Sequence, residues 1–204
     1  MKLDRTDAAS HSWLRSANCD ARYGLALLAV LAVLLLICAD GEQARQALSY
    51  ERTALAHGQW WRLISAHLVH ISLEHALLNC AGLALLWMLF AREFSPRRWL
   101  AIMLCSALMI DAAFWFLRPS IEWYLGASGV LHGALAAGAI AHYRRGDVLG
   151  SALILLLIVK LIYEQRSGAS VFAGDLPLVP DAHLFGALGG LVGAGLPRQR
   201  TKPL

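Results

Sequence analysis

Long apolar stretches alternate along the chain with short polar ones. Six apolar runs stand out: Tyr23–Ala39, Ala76–Ala91, Trp99–Leu117, Ser128–Ala141, Val148–Tyr163 and Ala182–Leu196. Each has roughly 14–19 residues, somewhat under the ~20 that a helix needs to cross a ~30 Å hydrocarbon core. Singly, several would pass for buried helices of a soluble protein. Together, punctuated by arginines, they predict six membrane-spanning helices in an all-α polytopic bundle. Their shortness implies local thinning of the bilayer or helices that start below its surface. The runs are interrupted by Asn79 in the second, Ser106 and Asp111 in the third, His132 in the fourth, Lys160 in the fifth and His183 in the sixth. A polar side chain in a span is costly unless paired, so each marks a candidate functional position.

Composition narrows the class. The 204 residues are 58% hydrophobic and 16% charged, with a mean hydropathy of +0.53. That describes one compact integral membrane domain with no room for a second sizeable one. The expected organisation is an N-terminal cytoplasmic segment over residues 1–22, a six-helix domain over 23–196 and a basic cytoplasmic tail over 197–204. Cys19, Cys38, Cys80 and Cys105 show no paired spacing and read as small hydrophobes. Ile37-Cys38-Ala39 resembles a signal-peptide cleavage tail, but the mixed-charge stretch before the first run is too long for such a leader.

Charge then orients the bundle. The pI near 9.1 does not signal a nucleic-acid partner, because the basic residues are sorted by loop and form no stripe. With the N-terminus inside, the inner segments hold Lys2, Arg5, Arg15, Arg22, Arg92, Arg97, Arg98, Arg144, Arg145, Arg198, Arg200 and Lys202. The outer ones hold only Arg45, Arg52, Arg62, Arg118 and Arg166, while Lys160 near the outer end of span five is free to snorkel. Twelve against five places both termini in the cytoplasm.

In that topology spans two, four and six start at the same outer face. Their first residues include His75 and Asn79, Ser128, and His183, so four polar groups from three helices share one depth. A serine becomes a nucleophile when a base takes its proton, and histidine is the usual base. Gly129 removes a side chain beside Ser128, and a helix N-terminus offers free N–H groups to a developing oxyanion. His183 is the candidate base, with Asp181 as a helix cap before it. His75 and Asn79, at i and i+4, project from one face and can both donate hydrogen bonds. Span four carries Gly129, Gly133 and Ala137 at four-residue steps, and span six carries Gly186 and Gly190. Such small-residue faces let two backbones approach closely, which would bring Ser128 to His183. Each piece alone has a plainer reading: a cap, interhelical glue or routine packing. Their coincidence at one depth is what points to chemistry.

These residues resemble the rhomboid family of intramembrane serine proteases over roughly residues 23–196. Gly126-Ala127-Ser128-Gly129 matches the family's Gly-x-Ser-Gly. Ala182-His183 with Gly186 and Gly190 matches its histidine motif, His75 and Asn79 its His-x-x-x-Asn, and Trp61-Arg62 its first outer loop. The resemblance implies a six-helix fold, a Ser-His dyad without an aspartate, and cleavage of substrate transmembrane segments near the membrane surface. It makes Ser128 the nucleophile and His183 the general base, with His75, Asn79 and the Ser128 N–H holding the oxyanion and no metal or cofactor. One departure is His132, where many rhomboids carry a tyrosine stacked on the catalytic histidine. Ser128-Gly129-x-x-His132-Gly133 is similar to the rhombosortase branch, found in Gram-negative bacteria. The branch implies an inner-membrane location with the site toward the periplasm. It also implies a protein substrate whose C-terminal anchor has a Gly-Gly motif, an apolar helix and a basic tail. Alternatives are a general rhomboid protease with other single-span substrates and a non-catalytic binder of transmembrane helices. A metalloprotease built from His67, His70, His75, His132 and His183 lacks the His-Glu-x-x-His spacing.

Three further features carry expectations. His67 and His70, close to Trp60 and Trp61, read as part of an interfacial helix edging the site. Asp111 is expected to pair with a histidine or Lys160, or to take up a proton. Glu164–Asp181, rich in Gly and Pro, reads as a mobile loop capping the site.

Overall fold

A computed structural model describes Asn18, residues 20–168 and residues 179–195. Nearly all of segment 1–22, the 197–204 tail and most of the Gly/Pro-rich stretch before Asp181 lie outside the described residues. Six helices correspond to the apolar runs: α1 (Gly24–Ala39), α5 (Leu73–Phe90), α6 (Pro96–Leu117), α7 (Ser128–Arg144), α8 (Val148–Ser167) and α9 (Pro180–Gly195). Three short helices lie between α1 and α5: α2 (Glu42–Leu48), α3 (Arg52–Ala56) and α4 (Arg62–Ser65). Two-residue strands β1 (Tyr50–Glu51) and β2 (Trp123–Tyr124) pair antiparallel, with Tyr50 opposite Tyr124.

Three of the long helices begin where a side chain satisfies one of their first N–H groups. Ser72 Oγ accepts from the His75 N–H at 3.2 Å to open α5. Ser95 does the same for α6, with Pro96 as its first residue, and Asp147 for α8. Helix α8 ends at Gly168, whose φ of 68° closes it.

Helices α5, α6 and α8 are long and apolar enough to cross a membrane, and α1 with α2 passes as a pair bent by 106°. Exposed Leu155, Leu156, Ile158, Val159 and Ile162 give α8 an apolar outer surface suited to lipid. The chain is thus a predominantly helical, multi-pass membrane bundle. Helices α7 and α9, with 17 and 16 residues, are shorter than α5, α6 and α8, and glycine and alanine line much of their length. Their surface is spent on each other.

That seam is backbone on backbone. A Cβ added at Gly186 would lie 2.0 Å from the Gly129 carbonyl oxygen, and one at Gly190 would lie 2.1 Å from that of Gly133. A Cβ at Gly129 would reach the Ala182 carbonyl oxygen at 2.8 Å. The expected close approach of the two small-residue faces is present. Helix α9 has a second such face, since Cβ atoms at Gly189 and Gly193 would strike the α6 backbone at Cys105 and Ile102. It is therefore wedged between α6 and α7 with no side chains to spare.

The segment between α1 and α5 is held by Arg62. Its buried guanidinium donates to Gln59 Oε1, the Ser49 carbonyl and the Gln46 carbonyl at 2.7, 2.7 and 2.8 Å. Trp60 and Trp61 stay exposed, as an interfacial position requires. At the bundle end far from Ser128, a buried cluster escaped the sequence analysis. His142 Nδ1 lies 2.9 Å from Asp147 Oδ2, its Nε2 lies 3.2 Å from Glu93 Oε1, and Arg145 pairs with Glu93.

Three local expectations are corrected. Glu164 does not open a loop: α8 runs three residues beyond it and buries it completely. Lys160 does not snorkel outward, because two partners hold its ammonium inside the bundle. Asp181 sits within the first turn of α9 rather than before it, and accepts from Arg118 Nε at 3.0 Å.

Candidate active site

Ser128 is the first residue of α7, set there by a backbone that only glycine adopts easily. Gly126 has φ +122°, and a Cβ on it would lie 2.8 Å from His75 Cε1. Its N–H donates to the Ala66 carbonyl at 2.9 Å, and its carbonyl accepts from Tyr124 Oη at 2.7 Å. The turn before the serine is thus tied to the α4–α5 connection and to β2. Gly126 also makes room for the His75 imidazole.

The α7–α9 seam brings Ser128 and His183 together. Ser128 Oγ and His183 Nε2 are 2.9 Å apart. His183 Nδ1 lies 2.7 Å from Glu164 Oε2 on α8. A carboxylate can only accept, so Nδ1 carries the hydrogen, and in the neutral ring Nε2 then presents a lone pair to the serine. That is the tautomer a general base needs.

His132, one turn below Ser128, stacks on His183 with ring centroids 4.0 Å apart and planes 14° from parallel. Its Nδ1 donates to the Ser128 carbonyl at 2.7 Å, and its Nε2 accepts from Lys160 Nζ at 2.9 Å. A carbonyl only accepts and an ammonium only donates, so this histidine is neutral with its hydrogen on Nδ1. Lys160 also donates to Glu164 Oε1. Ser128, His132, Lys160, Glu164 and His183 thus form one connected polar group drawn from three helices.

Ligand atoms of His132, Glu164 and His183 lie within 4.8 Å of one another, close enough for a cation. Their donors are already engaged: the Lys160 ammonium bridges His132 and Glu164, and His183 serves Glu164 and Ser128. The positive charge the cluster calls for is supplied by the lysine.

Asn79 and His75 sit less directly. Buried Asn79 spends one amide hydrogen on the His75 backbone carbonyl at 3.1 Å. The His75 ring reaches the site beside Gly126, and its Nδ1 has no partner among the described residues. His70 packs edge-on against His75 at 5.1 Å. Burial first, and His75 second, hold the His70 imidazole down at about 4, so it adds no charge there. His67 and His70 are buried in the bundle rather than lying on an interfacial surface, and His70 edges the site through its contact with His75. Asp111 meets His67, not Lys160, with Oδ1 3.4 Å from Nε2.

Sequence reasoning missed Glu164. Its signal was the pair Lys160 and Glu164, four residues apart at the end of an apolar run. Two opposite charges at helical spacing inside a span call for partners there, not in water.

A sequence model of the Rhomboid domain matches residues 57–199. The chain is similar to YdcA of Bacillus subtilis (strain 168), a rhomboid protease by name. The two are 25% identical over 138 residues, covering 68% of this chain and 67% of YdcA. It is also similar to the Rhomboid protease GluP of the same organism, 27% identical over 157 residues. That match covers 72% of this chain but only 29% of GluP.

Proposed function

This chain belongs to the rhomboid family, and we propose that it is an intramembrane serine endopeptidase of the rhombosortase type. Its substrate is an exported protein held in the membrane by a C-terminal anchor of Gly-Gly, apolar helix and basic tail. The observation that carries the reading is the 2.9 Å contact from Ser128 Oγ to a His183 Nε2 whose tautomer leaves it able to accept. In turnover Ser128 Oγ attacks the scissile carbonyl carbon while its proton passes to His183 Nε2. The tetrahedral oxyanion is held by the Ser128 N–H, His75 and Asn79. Collapse breaks the C–N bond, and the departing amine takes the proton from His183. Water, deprotonated by the same nitrogen, then releases the acyl group from Ser128.

The branch assignment rests on His132 in Ser-Gly-x-x-His-Gly. Six spans, cytoplasmic termini, an inner-membrane location and a site facing the periplasm complete it, supported by the basic-residue asymmetry and by Trp60 and Trp61 at the site end. Incubating the purified protein with a fluorophosphonate probe should label Ser128. Co-expression with a Gly-Gly-anchored reporter should release a soluble product whose sequenced C-terminus locates the cut at that motif. A labelled Ser128 with no cut at Gly-Gly leaves a general rhomboid protease, and an unlabelled one leaves a helix binder.

Removing the oxyanion donors tests the next layer. His75→Ala or Asn79→Ala should lower kcat about 10²-fold with KM little changed. Unchanged kinetics in the double variant would reassign both residues to packing.

His132 is separable from the base itself. His132→Tyr keeps a flat ring against His183 and should retain cleavage within about tenfold, whereas His132→Ala frees the imidazole and should lose on the order of 10²-fold. Comparing initial rates of the two variants on one reporter checks this. Full activity in His132→Ala would reduce the residue to filler.

A further inference from the structure

We propose that Glu164 is a positioning residue of the hydrolytic machinery, the third member of a Ser128–His183–Glu164 triad whose carboxylate is fixed in turn by Lys160. The proposal rests on the serine-protease reading and goes beyond the two-residue mechanism that the family resemblance implies.

The carboxylate lies where a triad acid must. Oε2 accepts from His183 Nδ1 at 2.7 Å, on the ring edge opposite the serine contact. Both side chains are buried, Glu164 fully and His183 to 5% exposure. Without an acceptor at Nδ1, the imidazole hydrogen is free to sit on Nε2, where it would face the serine and block proton uptake. Glu164 removes that alternative. When His183 takes the serine proton, the carboxylate also faces the imidazolium that forms.

Glu164 has little else to do. Its oxygens go to His183 and Lys160. A fully buried carboxylate on a lipid-facing helix is expensive to maintain, and packing alone would favour an apolar residue there. Two other acids near this end of the bundle are committed elsewhere, Asp111 to His67 and Asp181 to Arg118.

Lys160 explains how the carboxylate stays ionised and still. Its ammonium holds Oε1, leaving Oε2 for His183, and its second bond reaches His132 Nε2. It thus fixes two of the groups that touch the His183 ring, the acid at its edge and the imidazole on its face. The arrangement draws nucleophile, acid and base from α7, α8 and α9.

The test uses the full chain in detergent micelles with a fluorophosphonate probe, so that no natural substrate is required, and a Gly-Gly reporter for kcat and KM. Glu164→Gln keeps shape but offers its amide to Nδ1 in either sense. Probe labelling and kcat should fall at least about 100-fold with KM within about threefold. Glu164→Asp should recover to within about tenfold of wild type, a rescue that a merely space-filling role would not show. Lys160→Met/Glu164→Gln leaves no unpaired charge, so it should fold and remain as slow as Glu164→Gln. If Glu164→Gln does not fold, this double variant decides. Wild-type labelling and kcat in either would overturn the triad while leaving the Ser-His pair intact. Labelling that persists in Ser128→Ala would instead overturn the protease reading itself.

Discussion

Replacing Ser128 with alanine, or His183 with alanine, is expected to lower peptide-bond cleavage by on the order of 10⁴-fold or more while the protein keeps its fold. Ser128→Ala deletes one hydroxyl whose only described side-chain partner is His183 Nε2. His183→Ala leaves a cavity, but Gly186 and Gly190 still hold α9 against α7. Because the two groups act as a unit, the double variant should be no slower than either single one. A loss of that size corresponds to about 5.5 kcal/mol of transition-state stabilisation, far beyond the ~1 kcal/mol of one neutral hydrogen bond. The measurement is reporter cleavage in membranes, with protein abundance in the same membranes as the folding control. Cleavage retained in Ser128→Ala would remove the serine from the chemistry.

The second large effect concerns packing. Gly186→Ala should destabilise the bundle by about 3 kcal/mol or more and lower the melting temperature in detergent accordingly. The added Cβ would stand 2.0 Å from the Gly129 carbonyl oxygen and 2.6 Å from its carbon. Neither is the tip of a flexible side chain, so the helices themselves must separate. Gly195→Ala on the same helix is the control, because a Cβ there meets nothing within 4 Å. It should melt like the wild type or slightly above it. If Gly186→Ala also melted like the wild type, the seam would be looser than the structure draws it. Activity should fall with stability, since Ser128 lies beside Gly129 and His183 one turn before Gly186.

The apolar runs located the six long helices of the described residues, because hydrophobicity decides which segments leave water. They located the ends less well. The fifth run stops at Tyr163, where Glu164-Gln-Arg reads as a solvated boundary, yet α8 continues to Ser167. The helix continues because Glu164 turns inward to partners on α8 and α9, a fact of tertiary arrangement that a linear pattern does not contain. The same blindness made Lys160 look like a snorkelling side chain. Ser128, His75, Asn79 and His183 were legible for the opposite reason. Each is a polar group at the start of a run, and helix polarity alone puts such groups at a common level. His67 and His70 were expected at the interface, and are buried instead, because the tryptophans before them carry a strong interfacial signal. The chain dips into the bundle just after Trp61, and no periodicity announces that turn. The Glu93–His142–Asp147–Arg145 cluster comes from two stretches that read as inner loops, where charges are expected and raise no question.

The glycine seam between α7 and α9 also has an entropic consequence. Side chains that interdigitate must give up rotamer freedom when they lock, and afterwards can still hop between wells. Gly129, Gly133, Gly186 and Gly190 have no rotamers to lose or to hop between. The distance from nucleophile to base is therefore indexed to two peptide backbones, the stiffest parts of the molecule, and only the serine and imidazole torsions remain to be set. A heated bundle should consequently lose this contact late and all at once, when the helices part, rather than by gradual loosening.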